Sequence, residues 1–333
     1  MRRALAALAL PVGLALVVAC RSEISLGTPD AGAVGPDSGP TPVPPRCPGI
    51  PSRTVVADAD PALGELRGVA ARGEVLYALF ARAGSNEGVL ARVATSGGTL
   101  TELARVGSDP AGLAISPDGA YVFVAARGSS QIFRVDRNGT ATVVSAGGAP
   151  SSVIADDQAG AFWSVPVNDA VLRWDFVTPP PQAVATSARA ASLARANGVL
   201  YIAGDRAIRA FAPGLDAAPR QLAAHCDDGA PAIAGTLAYC VEADAITRVD
   251  LATGDAAIMA AAQPGATNVV VAAGRVLWRA RPSDRQTLVM ALPLDGIGGA
   301  TVFESSGPGA LIMAANGCDL YFSAGHAIVR RGL

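Results

Sequence analysis

From about residue 53 the chain is a succession of short apolar runs, each cut by Gly, Pro, Asp or Arg. Along them no apolar stripe recurs every three or four residues. That pattern predicts strands and no amphipathic helix. One feature repeats along the runs, an apolar residue followed by an aromatic one: Leu76-Tyr77, Val122-Phe123, Phe162-Trp163, Leu200-Tyr201, Ala238-Tyr239, Leu277-Trp278 and Leu320-Tyr321. The aromatic positions are spaced by 46, 40, 38, 38, 39 and 43 residues, and they use four of the five tyrosines and two of the three tryptophans. Chance does not distribute scarce residues so evenly.

Each marker is preceded by a small apolar segment: GVAA (68–71), GLAI (112–115), SVIA (152–155), SLAR (192–195), AIAG (232–235), VVVA (269–272) and LIMA (311–314). A third strand follows, and usually a fourth after a glycine turn such as Gly97-Gly98, Asn138-Gly139, Thr253-Gly254 or Gly298-Gly299, where a tight hairpin needs positive φ. Four antiparallel strands repeating near every forty residues predict the blade of a β-propeller. The last repeat has only three strands, whereas RTVVA (53–57) is an orphan fourth strand ahead of the first. Pairing the two covers an otherwise exposed edge. The expected fold is therefore all-β, a seven-bladed propeller closed by pairing its N- and C-terminal strands.

The segment SPDGAYVFVAARGSSQIFRVDRNG (116–139) resembles the YVTN and NHL repeats of bacterial seven-bladed propellers. The resemblance extends over most of residues 53–333. It speaks to fold and hardly to activity, since propellers host many unrelated functions.

The N-terminus differs from the body. Arg2 and Arg3 precede an apolar run from Ala4 to Ala19, and Val17-Val18-Ala19-Cys20 resembles the lipobox of bacterial lipoprotein precursors. The run has the length of a signal h-region and falls short of the roughly 20 residues a membrane span needs. The resemblance implies a signal peptide over 1–19 and lipidation of Cys20. Residues 21–46 hold six prolines, four glycines and no aromatic residue, so they cannot bury a core. As an extended stalk at ~3.1 Å per residue they reach at most ~80 Å. The expected organisation is thus signal (1–19), lipidated Cys20 and stalk (20–46), and propeller (47–333). Arg21 after the lipobox resembles lipoproteins sorted to the outer membrane in enteric bacteria, which implies the cell envelope of a Gram-negative organism.

The formal net charge is −2, and all 26 basic residues are arginine. Nucleic acid, which calls for a basic face, is not an expected partner. Four cysteines remain besides Cys20, and an exported chain meets an oxidising compartment. In blade topology Cys226 leads into blade five beside the upper end of the strand carrying Cys240. Cys318 lies in a lower turn of the last blade, where Cys47 approaches the closing strand. The expected disulfides are Cys226–Cys240 and Cys47–Cys318.

Candidate chemistry is sparse. Arginine recurs in the third strands at Arg92, Arg134, Arg173, Arg209, Arg248 and Arg330, with Asp136, Asp175 and Asp250 two residues after three of them, a spacing read as local ion pairing. The aromatic markers are expected to pack between blades. His225 and His326 fall in different blades with no nucleophile elbow nearby. Asn138-Gly139-Thr140 has the form of a glycosylation acceptor but is read as a hairpin turn. Loops leading into the innermost strands carry Glu65, Asp109, Asp227 and Asp228, with Asn268 opening one such strand. Calcium-dependent lactonase-type propellers place Glu, Asn and Asp at this mouth, because a hard cation needs several oxygen ligands. The alternative function is accordingly a lactonase-like hydrolase using Ca2+ on Glu65, Asp109, Asp228 and Asn268. The remaining leading loops offer little beyond backbone. The main expectation is a non-catalytic, membrane-tethered module without a cofactor, binding an envelope protein or glycan.

Overall fold

A computed structural model describes Cys47 and residues 52–333, apart from 59, 157–159, 176–180, 187–191, 197, 205–206, 212–218, 223–225, 227–228 and 307–311. The described residues form seven four-stranded antiparallel sheets and two short 3-10 turns, Pro61–Leu63 and Pro166–Asn168. None of their helices is long and apolar enough to cross a membrane.

Six sheets are built from four consecutive strands each. Their innermost strands are Glu65–Arg72, Pro110–Ile115, Ser152–Ala155, Ser192–Ala196, Ala232–Ala234 and Thr267–Ala272. The seventh sheet begins with Met313–Asn316 as its innermost strand and takes Arg53–Asp58 as its outermost. That closing strand runs antiparallel to Ala327–Gly332, with Val55 opposite Val329. Innermost strands touch from one blade to the next, and the seventh touches the first. The ring is a seven-bladed β-propeller, sealed by its two termini as the repeat pattern predicts. In the last blade the inner strand runs two residues later than LIMA (311–314), because Met313 to Asn316 are the residues facing Phe322 to Asp319.

The core lies between blades. Buried apolar side chains gather into clusters, each drawn from two neighbouring blades; Tyr77 joins Val122 and Val124, and Phe123 joins Trp163. The junction of blades seven and one holds Val56, Leu76, Phe80, Tyr321 and Ile328. All seven aromatic markers are buried, Trp163, Trp278, Tyr239 and Tyr321 almost completely. Burying one indole removes roughly 150–250 Å² of surface and contributes about 4–6 kcal/mol as an upper figure. Small innermost residues let the strands approach the axis, while bulky second-strand residues fill the wider wedges.

Five of the six third-strand arginines stand opposite a residue of a marker pair, and Arg209 stands opposite Ile202. Register places Arg92 opposite Tyr77, Arg134 opposite Phe123, Arg173 opposite Phe162, Arg248 opposite Tyr239 and Arg330 opposite Tyr321. Directly opposed residues share a sheet face. The Arg173 guanidinium lies 5.6 Å from the Phe162 ring centre and that of Arg134 4.8 Å from Tyr121. Two of the aspartates two residues on, Asp136 and Asp250, cap their own turns instead of pairing with the arginine: Asp136 accepts N–H bonds from Asn138 and Thr140, and Asp250 from Ala252 and Thr253. A short carboxylate reaches the N–H groups of its own turn more readily than a guanidinium two residues back.

Both disulfides are present, Cys47–Cys318 and Cys226–Cys240.

Candidate functional site

Innermost strands begin at one end of the ring, the upper end, and the loops leading into them frame the channel mouth. A cavity of about 770 Å³ opens there. Its polar lining comes from Ser151, Ser152, Ser192, Thr267, Asn268 and Asp244, and apolar side chains such as Leu113, Val153 and Met313 complete it. The residues are short because they sit where seven strands converge. Ser151 Oγ lies 2.9 Å from Ser164 Oγ, which holds that hydroxyl against the second strand of blade three.

Of the nominated residues that the structure describes, only Asn268 lines this cavity. It is exposed and has φ of 51°, in the left-handed region where asparagine is better tolerated than most residues. Glu65 lines a separate cavity of about 350 Å³ on blade one, where its carboxylate lies 3.1 Å from Arg67. Asp109 is held by Arg127 at 2.7 Å, and its backbone N–H donates to the Asn86 carbonyl. The two acids therefore face their own arginines, and the structure does not bring them to the Asn268 cavity. Asp227, Asp228 and His225 lie outside the described residues, as does Cys20; His326 occupies an exposed turn. Among the described residues, no three of His, Cys, Asp and Glu come together in a way that could hold a metal ion.

Among the described residues, the carboxylate that lines the mouth is Asp244, in the turn joining the second and third strands of blade five. Sequence reasoning attended to the loops leading into innermost strands and passed over these turns. Blade geometry puts both sets at the same end, so Glu242-Ala243-Asp244 was the signal available. Asp244 has φ of 60° and follows Ala243 at 45°. Its Oδ1 accepts from the Gly265 N–H at 3.0 Å, and its carbonyl accepts from Gln263, tying blade five to the loop leading into blade six.

Elsewhere, buried charge has a structural place. Asp156, 1% exposed at the lower end of blade three's inner strand, is gripped by Arg173 and by Arg195 of blade four. Both guanidiniums also lie over the Phe162 ring.

No family model matches the chain, and no curated protein matches it. Solved structures do. Virginiamycin B lyase from Staphylococcus aureus superposes with a TM-score of 0.64 at 11% identity, over 85% of this chain and 99% of the other. YCF48 bound to D1 peptide gives 0.61 at 12% identity, over 87% and 99%. BamB from Moraxella catarrhalis gives 0.53 at 12% identity, over 84% and 97%. At such identities the likeness is one of fold: the chain shares the β-propeller architecture of an enzyme, of a peptide-bound protein and of BamB.

Proposed function

We propose that the protein is a non-catalytic binding propeller, moored in the cell envelope by a lipid on Cys20 and presenting its channel mouth to a partner. The observation that carries this reading is the character of the mouth: a cavity of about 770 Å³ lined, among the described residues, by apolar side chains, hydroxyls, one amide and one carboxylate. Specific binding sites pair apolar walls with a few placed polar groups, whereas catalysis needs converging titratable groups. Glu65 and Asp109, the acids that a cation-using hydrolase would recruit, are each neutralised by an arginine. The peptide-bound state of YCF48 supports a binding role for a propeller of this kind.

Cys318 lies in the turn after the lower end of the inner strand Met313–Asn316, and the disulfide brings Cys47 to it. We assign the membrane that holds Cys20 to the outer membrane of a Gram-negative bacterium.

Three experiments test the proposal. Cys20→Ser should move the protein from the membrane fraction to the soluble one; unchanged fractionation would refute lipidation there. Thr267→Trp should fill the mouth and abolish retention of whatever partner the wild type holds from envelope extracts, with melting temperature preserved. Undiminished retention would put the binding surface elsewhere. A calcium-dependent rise in melting temperature that is lost in Asp109→Ala and Asp228→Ala would favour the lactonase-like hydrolase.

A further inference from the structure

Asp244 differs from the other well-placed carboxylates of the ring. Glu65 faces Arg67, Asp109 faces Arg127, and Asp156 faces two arginines. Asp244 is exposed at the rim, takes one backbone N–H on Oδ1, and meets no cationic side chain among the described residues. Among the described residues it brings the one formal charge to a lining that is otherwise hydroxyl, amide and hydrocarbon. A carboxylate at the rim of such a concavity draws a counter-ion from solution.

The surroundings say which cation. Ser152 and Thr267 line the same cavity, and their hydroxyls can accept hydrogen bonds. An ammonium has three donors on one compact centre and is met by a carboxylate oxygen and two hydroxyls. A guanidinium prefers both oxygens of a carboxylate at once, in a planar fork. One oxygen of Asp244 is already engaged by the Gly265 N–H, which favours the point charge. Leu113 and Met313 offer apolar surface on the blades that bring no polar group to the lining, suited to a methylene stem.

We infer that the channel mouth receives a primary ammonium on a short aliphatic stem, with Asp244 as its counter-ion. The inference rests on the reading of the mouth as the binding surface and gives its ligand class. A lysine side chain of a partner peptide and a free alkylamine share this chemistry.

The test is an NMR titration of the full chain, wild type and Asp244→Asn. Three probes serve: N-acetyl-lysine methylamide, its ε-acetylated form, and n-butylamine. Asparagine keeps the Oδ1 acceptor for Gly265 and tolerates the left-handed backbone, so the variant removes charge and little else. The lysine derivative should shift the Ser152 and Thr267 amides. Its ε-acetylated form should bind about tenfold more weakly, a difference of ~1.4 kcal/mol. That difference should shrink in added salt and vanish in Asp244→Asn. Butylamine binding as well as the lysine derivative would assign a free amine; weaker binding would assign a peptide-borne lysine. Equal binding of both lysine forms, or affinity unchanged in Asp244→Asn, would overturn the ammonium assignment while leaving the mouth as a binding surface. Shifts confined to residues away from Ser152 and Thr267 would overturn both.

Discussion

Asp156 and the buried tyrosines show what single residues contribute to the wheel. Asp156 ties two blades through Arg173 and Arg195, whose side chains are 30% and 17% exposed. Removing one member of such a group strands the others, at a cost of about 3–5 kcal/mol when burial is deep. Asp156→Ala should therefore lower stability by about 3 kcal/mol in denaturant titration, and Asp156→Asn, which keeps an acceptor, by less. The phenols of Tyr201, Tyr239 and Tyr321 are held above their ordinary value, chiefly by burial, which disfavours the phenolate. Their folded pKa exceeds the unfolded value of about 10, so the stabilisation is complete below that pH. It is lost as pH rises through the raised folded values. Stability measured across the alkaline range should fall above pH about 10, with tyrosinate absorbance rising in step with unfolding; tyrosinate appearing in a still-folded protein would refute the account.

At the scale of strands and turns, much was legible because geometry leaves few substitutes. The glycines singled out at 97, 98, 139, 254, 298 and 299 all adopt positive φ. Gly139 also approaches the neighbouring blade so closely that a Cβ would stand 2.3 Å from the Leu103 carbonyl oxygen. Gly139→Ala combines a strained φ with that clash and should cost about 1–3 kcal/mol, read as a fall in melting temperature. Gly73→Ala makes the useful contrast, since its φ of +56° comes with open space around the added carbon. Less legible were the partners of polar side chains. Arg134 and Asp136 are two apart and of opposite charge, yet the arginine lies over rings while the aspartate caps its turn. Spacing along a strand gives the face a residue occupies, not which of several acceptors it meets. Asp244 escaped for a related reason: it belongs to the mouth by blade geometry, through a turn whose sequence carries no signature of its own.

Closure is the property of the whole ring, and it rests on two devices of different kind. The strand Arg53–Asp58 contributes a ladder of backbone bonds to Ala327–Gly332 and sends Val56 into the junction of blades seven and one. The Cys47–Cys318 disulfide spans 271 residues, and a loop of that length is worth about 5 kcal/mol in the chain-entropy model. The Cys226–Cys240 bond, spanning 14 residues, is worth about 3 kcal/mol and acts within one blade and the loop leading to it. The two should therefore fail differently. Cys318→Ser should lower the melting temperature and raise hydrogen exchange at the strands Arg53–Asp58 and Ala327–Gly332, because the ring opens where its ends meet. Cys240→Ser should raise exchange in Leu237–Glu242 and leave the terminal strands protected. Exchange at the seam unaltered in Cys318→Ser would mean that strand pairing alone holds the wheel shut.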